Sequence, residues 1–98
     1  MMKALDLSPN AEWKARFRAS NVMWAKIASR NPATIRMIEA AGFDFAFIDM
    51  EHSGFSFETV ADMCDTARRY GIAPIVRVPQ VEYAFVSRAL DCGAKGII

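Results

Sequence analysis

From Val22 onward, short apolar runs alternate with stretches whose apolar residues recur at helical spacing. Val22-Met23-Trp24-Ala25-Lys26-Ile27 suits a strand. Asn31-Pro32 then places an N-cap type residue ahead of a proline at the first helical position, and Ile35, Ile38 and Ala41 follow at helical spacing. Gly42 sits where a glycine ends a helix. Phe45-Ala46-Phe47-Ile48 is almost continuously apolar, as a parallel strand covered on both faces requires. A second helix is predicted from Ser56 as N-cap. It has Phe57, Val60, Ala61, Cys64 and Ala67 on one face, Asp62, Asp65, Arg68 and Arg69 mostly on the other, and Gly71 at its end. Ile75-Val76-Arg77-Val78, bracketed by Pro74 and Pro79, reads as the third strand. The third helix places Val81, Phe85, Ala89 and Leu90 together and stops at Gly93, after which Lys95-Gly96-Ile97-Ile98 opens a fourth strand.

Corresponding points of successive units lie roughly 25 residues apart, the size of a short βα unit. Such alternation implies an α/β fold with a parallel sheet and right-handed crossovers. Periodicity leaves two forms open, an open doubly wound sheet and part of a (β/α)8 barrel. Residues 1–21, with Ala11, Ala15 and Ala19 beside Trp13 and Phe17, read as an amphipathic N-terminal helical segment outside the sheet; residues 22–98 form the α/β domain.

Composition narrows the class without naming a chemistry. With 98 residues, 53% hydrophobic and 23% charged, the chain has the balance of one soluble globular domain. A net charge of +1 offers no footprint for nucleic acid or an anionic membrane. No apolar run approaches the roughly 20 residues of a spanning helix, and Met1 to Asn10 lack the pattern of a signal peptide. Cys64 and Cys92 fall in helical stretches without a CxxC partner, which suits reduced structural thiols in a cytoplasmic protein.

The residues that break the pattern are the informative ones, because a charge in a buried strand is costly unless it is paired. The second strand runs directly into Asp49-Met50-Glu51-His52, and the third carries Arg77 between Val76 and Val78. Both clusters fall at the C-terminal ends of their strands, the rim on which α/β folds build sites. His52, the single histidine, suits proton transfer near neutral pH. Asp49 or Glu51 could orient its ring, and Arg77 could hold a carboxylate or a developing oxyanion. The competing reading is an ion pair that merely ties two strand ends together, with His52 exposed in a loop. Phosphate-loop and nucleophile-elbow patterns are absent, and the ionisable residues alone lack metal-site spacing.

Ala40-Ala41-Gly42-Phe43-Asp44 followed by Ile48-Asp49-Met50-Glu51-His52 resembles the HpcH/HpaI aldolase family. The resemblance continues through Pro74-Ile75-Val76-Arg77-Val78-Pro79 and Leu90-Asp91-Cys92-Gly93-Ala94-Lys95-Gly96-Ile97-Ile98, so it covers about residues 22 to 98. It implies the first three to four βα units of a (β/α)8 barrel and class II aldol chemistry on 2-oxo-4-hydroxy acids. Substrates of that kind are 4-hydroxy-2-oxoheptanedioate and 2-keto-3-deoxy sugar acids, giving pyruvate and an aldehyde. A divalent metal (Mg²⁺, Mn²⁺ or Co²⁺) would stabilise the pyruvate enolate. By the same resemblance His52 is the acid/base group, Asp49 its acidic support, and Arg77 the arginine beside the keto oxygen, with Glu51 in a supporting place. Relatives assemble as trimers or hexamers. Met50 stands where glycine or leucine is common, a mild departure.

The resemblance also implies that the glutamate and aspartate ligating the metal lie beyond Ile98, so the chain reads as the N-terminal part of such a barrel. Two further readings stay in view: a non-catalytic half-barrel that acts only by self-association or complementation, and a CoA-dependent lyase of the same superfamily, for which no CoA site is apparent. A receiver-type domain finds no matching set of carboxylates and lysine. The 98-residue chain on its own is expected to bind the metal poorly and to show no retro-aldol turnover; a coupled pyruvate-release assay on the purified chain checks this.

Overall fold

The computed structural model describes residues 24–27 and 29–98. The expected N-terminal helix over residues 1–21 lies outside them. In chain order the elements are β1 (Trp24–Ile27), α1 (Ala33–Ala40), β2 (Phe45–Asp49), α2 (Phe57–Arg69), β3 (Ala73–Arg77), α3 (Tyr83–Asp91) and β4 (Gly96–Ile97). The strands form one parallel sheet in the order β1-β2-β3-β4. The chain therefore always steps to the same side, and the reversal that defines a doubly wound sheet does not occur among these strands. α1 packs on α2 and α2 on α3, so the helices share one face of the sheet.

Local sequence explains the helix ends. Asn31 Oδ1 accepts the Ala33 N–H at 3.0 Å, and Pro32 already has helical dihedrals (φ −58°, ψ −20°), so proline stands where its missing N–H costs nothing. Ser56 caps α2 by accepting the Thr59 N–H at 3.2 Å. At the other end of α1, Gly42 takes φ +88° and the Phe43 N–H returns to the Ile38 carbonyl at 3.2 Å. Gly93 closes α3 in the same way at φ +108°, with the Ala94 N–H on the Ala89 carbonyl.

Alternation along the strands divides the sheet into two chemically different faces. Ala46, Ile48 and Val76 point under the helices and are fully buried. There they join Ile27, Ile35, Ile38, Val60, Met63, Cys64, Ala67 and Ala89 in one core. The opposite parity carries Lys26, Phe45, Phe47, Asp49, Ile75 and Arg77, with Lys26 in register with Phe47, Phe47 with Ile75, and Asp49 with Arg77. Met50 falls on the helix side and is buried in the core, which explains why a flexible apolar residue is accepted between two acids.

The structure corrects several sequence expectations. Pro74 lies inside β3 rather than before it, and is buried. Its carbonyl accepts the Lys95 N–H at 2.8 Å, so its ladder groups face β4, and pairing with β4 begins only at Ile75. The missing proline N–H thus falls outside the ladder. Val81 precedes α3 instead of lining it and is 95% exposed, while Leu90 is half exposed; Ala89 supplies the buried contact, with Phe85 and Val86 packed against the core. Met63 is a central core residue that the predicted face of α2 omitted, and Ala41 is exposed. Among the described residues no helix is long and apolar enough to cross a membrane.

Two of the helix-ending glycines, Gly42 and Gly93, make a paired test. A Cβ at Gly42 would meet nothing within 4 Å, whereas at Gly93 it would lie 3.3 Å from Cys64 Cβ. Both substitutions to alanine force a left-handed conformation on a residue with a Cβ, at a cost of about 1–3 kcal/mol. Gly93→Ala is expected to destabilise more than Gly42→Ala, as measured by urea denaturation.

Candidate functional site

The site starts from Asp49, the last residue of β2 and fully buried. A carboxylate so placed is tolerated only if its oxygens are filled by donors. Oδ1 accepts the backbone N–H of Glu51 at 2.9 Å and of His52 at 3.1 Å. Oδ2 faces two cations, Lys26 Nζ at 3.1 Å and Arg77 Nη1 at 3.5 Å. Ser53 Oγ donates to the Asp49 carbonyl and accepts the Phe55 N–H at 3.3 Å. Buried Phe55 anchors the end of the turn. Residues 49–55 are thereby folded back onto the end of the strand that leads into them.

This turn presents Glu51 and His52 at the rim. His52 Nε2 lies 2.7 Å from Glu51 Oε1, and both side chains are substantially exposed. Glu51 Oε1 is also 3.8 Å from Arg77 Nη1. The side chains therefore form a continuous line from Lys26 through Asp49, Arg77 and Glu51 to His52. The Arg77 guanidinium additionally lies over the Phe47 ring at 5.4 Å, so a flat apolar surface supports it from one side. Arg30, in the connection after β1, packs over Gly54, where an added Cβ would collide with its Nη2.

All four residues singled out from sequence meet here, with one redistribution of contacts. Glu51, not Asp49, touches the imidazole; Asp49 reaches His52 through the backbone. Lys26 was missed. Its signal was available, since a lysine inside an apolar parallel strand breaks the same rule that exposed Arg77.

Burial works to raise the Asp49 pKa, but the His52 N–H, the Lys26 ammonium, the Glu51 N–H and the Arg77 charge outweigh it, leaving the carboxyl below its ordinary value. The thiols go the other way. Burial, reinforced by neighbouring Cys92 and opposed by Arg68, pushes Cys64 up to about 12, and Cys92 is raised mainly by burial. Both cysteines are free, and neither favours thiolate chemistry near neutral pH.

The described residues do not fit a divalent ion as its ligand set. Asp49 has each oxygen shared between two donors, Glu51 is engaged by His52 and Arg77, and no group of three or more His, Cys, Asp or Glu among them is placed around a common point. What this arrangement can supply is a proton-transfer group at His52 and a donor for an anion at Arg77.

The lowered Asp49 pKa has a defined sign. The unfolded chain, with an aspartate pKa of about 3.9, binds the proton more readily than the folded one. Its contribution to stability is expected to be complete above that value and to vanish as pH falls through the depressed folded value. Asp49→Asn should remove this acid-limb dependence and cost about 2 kcal/mol at neutral pH, less than a fully buried pair would because Lys26 is half in water. Urea titrations across pH 2–7 (roughly spanning both values) check both expectations.

Residues 21–98 match the model of the HpcH/HpaI aldolase/citrate lyase family. The 4-hydroxy-4-methyl-2-oxoglutarate aldolase tasA of Hapsidospora irregularis is 42% identical over 69 residues, covering 69% of this chain and 26% of that protein. The 5-keto-4-deoxy-D-glucarate aldolase of Citrobacter koseri is 32% identical over 95 residues, covering 94% and 36%. Among solved structures, the HpcH/HpaI aldolase from Desulfitobacterium hafniense DCB-2 superposes with a TM-score of 0.80 at 32% identity, covering 86% of this chain and 33% of that one. The citrate synthase SbnG superposes with a TM-score of 0.79 at 34% identity, covering 87% and 35%. This chain thus spans about a quarter to a third of the length of the curated relatives it matches. The parallel strand order agrees with that match, and the chain belongs to the HpcH/HpaI aldolase/citrate lyase family.

Proposed function

We propose that this chain forms the proton-transfer and oxyanion side of a carbon–carbon lyase that cleaves 2-oxo-4-hydroxy acids to pyruvate and an aldehyde. The observation that carries the reading is the unbroken line of side chains from Lys26 to His52 on the side of the sheet opposite the described helices, in a member of an aldolase family. The names of the relatives support the substrate class. Both 4-hydroxy-4-methyl-2-oxoglutarate and 5-keto-4-deoxy-D-glucarate are keto acids carrying a hydroxyl two carbons from the carbonyl.

In retro-aldol cleavage the C4 hydroxyl loses its proton, the C3–C4 bond breaks, and its electrons flow to the C2 oxygen. His52 is the base at the rim that takes the proton and later returns one to C3. Glu51 at 2.7 Å stabilises the imidazolium formed in between. Arg77, braced by Phe47, offers its remaining N–H groups to the C2 oxygen as it becomes an enolate. Asp49 fixes the His52 backbone and touches the Arg77 guanidinium only at long range, 3.5 Å from Nη1. A divalent metal, implied by the family, would add charge stabilisation to the enolate when bound, and its ligands are proposed to lie beyond Ile98.

The same reading places residues 22–98 as the opening βα units of a (β/α)8 barrel after a separate segment 1–21, in a cytoplasmic trimer or hexamer. The alternative is a half-barrel that works only by association, which concentration-dependent association without pyruvate binding would favour.

Enolisation separates these readings. With pyruvate and Mg²⁺, Mn²⁺ or Co²⁺ in deuterated water, the protein at its natural length is expected to exchange the pyruvate methyl protons. His52→Ala should slow that exchange by roughly 10²–10⁴-fold, the range of general acid–base catalysis. Unchanged exchange in His52→Ala, or none in the parent protein, rejects the assignment.

A further inference from the structure

Asp49 has more positive charge around it than one carboxylate needs. Lys26 Nζ, at 3.1 Å, is closer to Oδ2 than Arg77 Nη1, at 3.5 Å. Arg77 is drawn to Glu51 Oε1 at 3.8 Å as well and lies over Phe47, so its hold on Asp49 is long and shared. Lys26 and Arg77 come from the strands on either side of β2, and both lie on the face opposite the described helices. A fully buried carboxylate without Lys26 would have only one side-chain cation in reach among the described residues. Electrostatics would then pull Arg77 into a tight, forked pairing with it.

We infer that Lys26 is a positioning residue: by neutralising the buried oxygen of Asp49 it keeps the Arg77 guanidinium free for the substrate oxyanion. The inference rests on the proposed aldolase reading for its kinetic form but not for its structural form. Lysine suits the task because it is a compact charge on a flexible stem that can reach the carboxylate from the neighbouring strand while remaining half in water. Arg77 is the better ligand for a planar oxyanion, since it carries more donors in a fixed fork. The division of labour is between a cation that neutralises and a cation that binds.

A double-mutant cycle at natural length tests this, reading kcat/KM for pyruvate methyl-proton exchange. Lys26→Met is expected to lower kcat/KM about tenfold or more when Arg77 is present, but less than about threefold in an Arg77→Met background, because the effect runs through Arg77. Lys26→Arg should restore the parent value to within about threefold, since it returns a cation to Asp49. Equal losses in both backgrounds, or no loss in either, overturn the inference. If Lys26→Met lowers thermal stability too far for assay, Lys26→Gln keeps a donor to Asp49 without its charge and makes the same comparison.

Arg77 guanidinium NMR supplies a readout independent of activity. Lys26→Met should slow rotation about the Arg77 Cζ–N bonds as the group locks onto Asp49. Unchanged rotation overturns the inference even in an active enzyme. Slowed rotation in a protein that exchanges no pyruvate protons upholds it while rejecting the aldolase reading.

Discussion

A carboxylate shielded from solvent must find its partners within the fold, and Asp49 finds them on two sides. Ahead of it, the N–H groups of the next turn converge on one oxygen; beside it, cations from both flanking strands converge on the other. Each contact does a different structural task. The backbone contacts curl the chain after β2, which brings Glu51 and His52 side by side. The cation contacts join three adjacent strands near their C-terminal ends. Removing the carboxylate would therefore loosen the base, the arginine and the sheet edge at once, and no other residue described here links all of these parts.

The position of this carboxylate depends on how the sheet is wound. Because the strand order runs without reversal and the helices pack together on one side, the other side keeps its alternate residues for chemistry. Along β2 and β3 that side is apolar at Phe45, Phe47 and Ile75 and charged only at the C-terminal end. The apolar stretch lowers the local dielectric beneath the charges, which strengthens their pairing and makes any unpaired member costly.

Much of this was legible in the sequence for a clear physical reason. Glycine and proline mark helix ends and strand ends through backbone geometry that tertiary context rarely overrides, and Asn31, Ser56, Gly42 and Gly93 act as expected. Charges at Asp49 and Arg77 stood out because neighbouring positions were apolar. Lys26 breaks the apolar run of its strand just as Arg77 does, but the carboxylate it reaches lies on the neighbouring strand, a pairing that linear spacing does not encode. Val81 and Leu90 misled for the opposite reason: an apolar residue at helical spacing is no guarantee of burial when the helix starts later and presents a narrower stripe. Which acid touches the imidazole was likewise undecidable, since that follows from the turn's three-dimensional path.

The turn from Asp49 to Phe55 is fastened at both ends, by Asp49 Oδ1 near its start and by Ser53 and Phe55 near its close. Hydrogen bonds that join residues two to four apart in sequence fix the number of residues as firmly as their identity. An insertion or deletion here would shift His52 off its bearing and release the carboxylate in the same stroke. Changes of length would be borne more readily by other connections around the rim. Loop exchange there would leave His52 in its place beside Glu51.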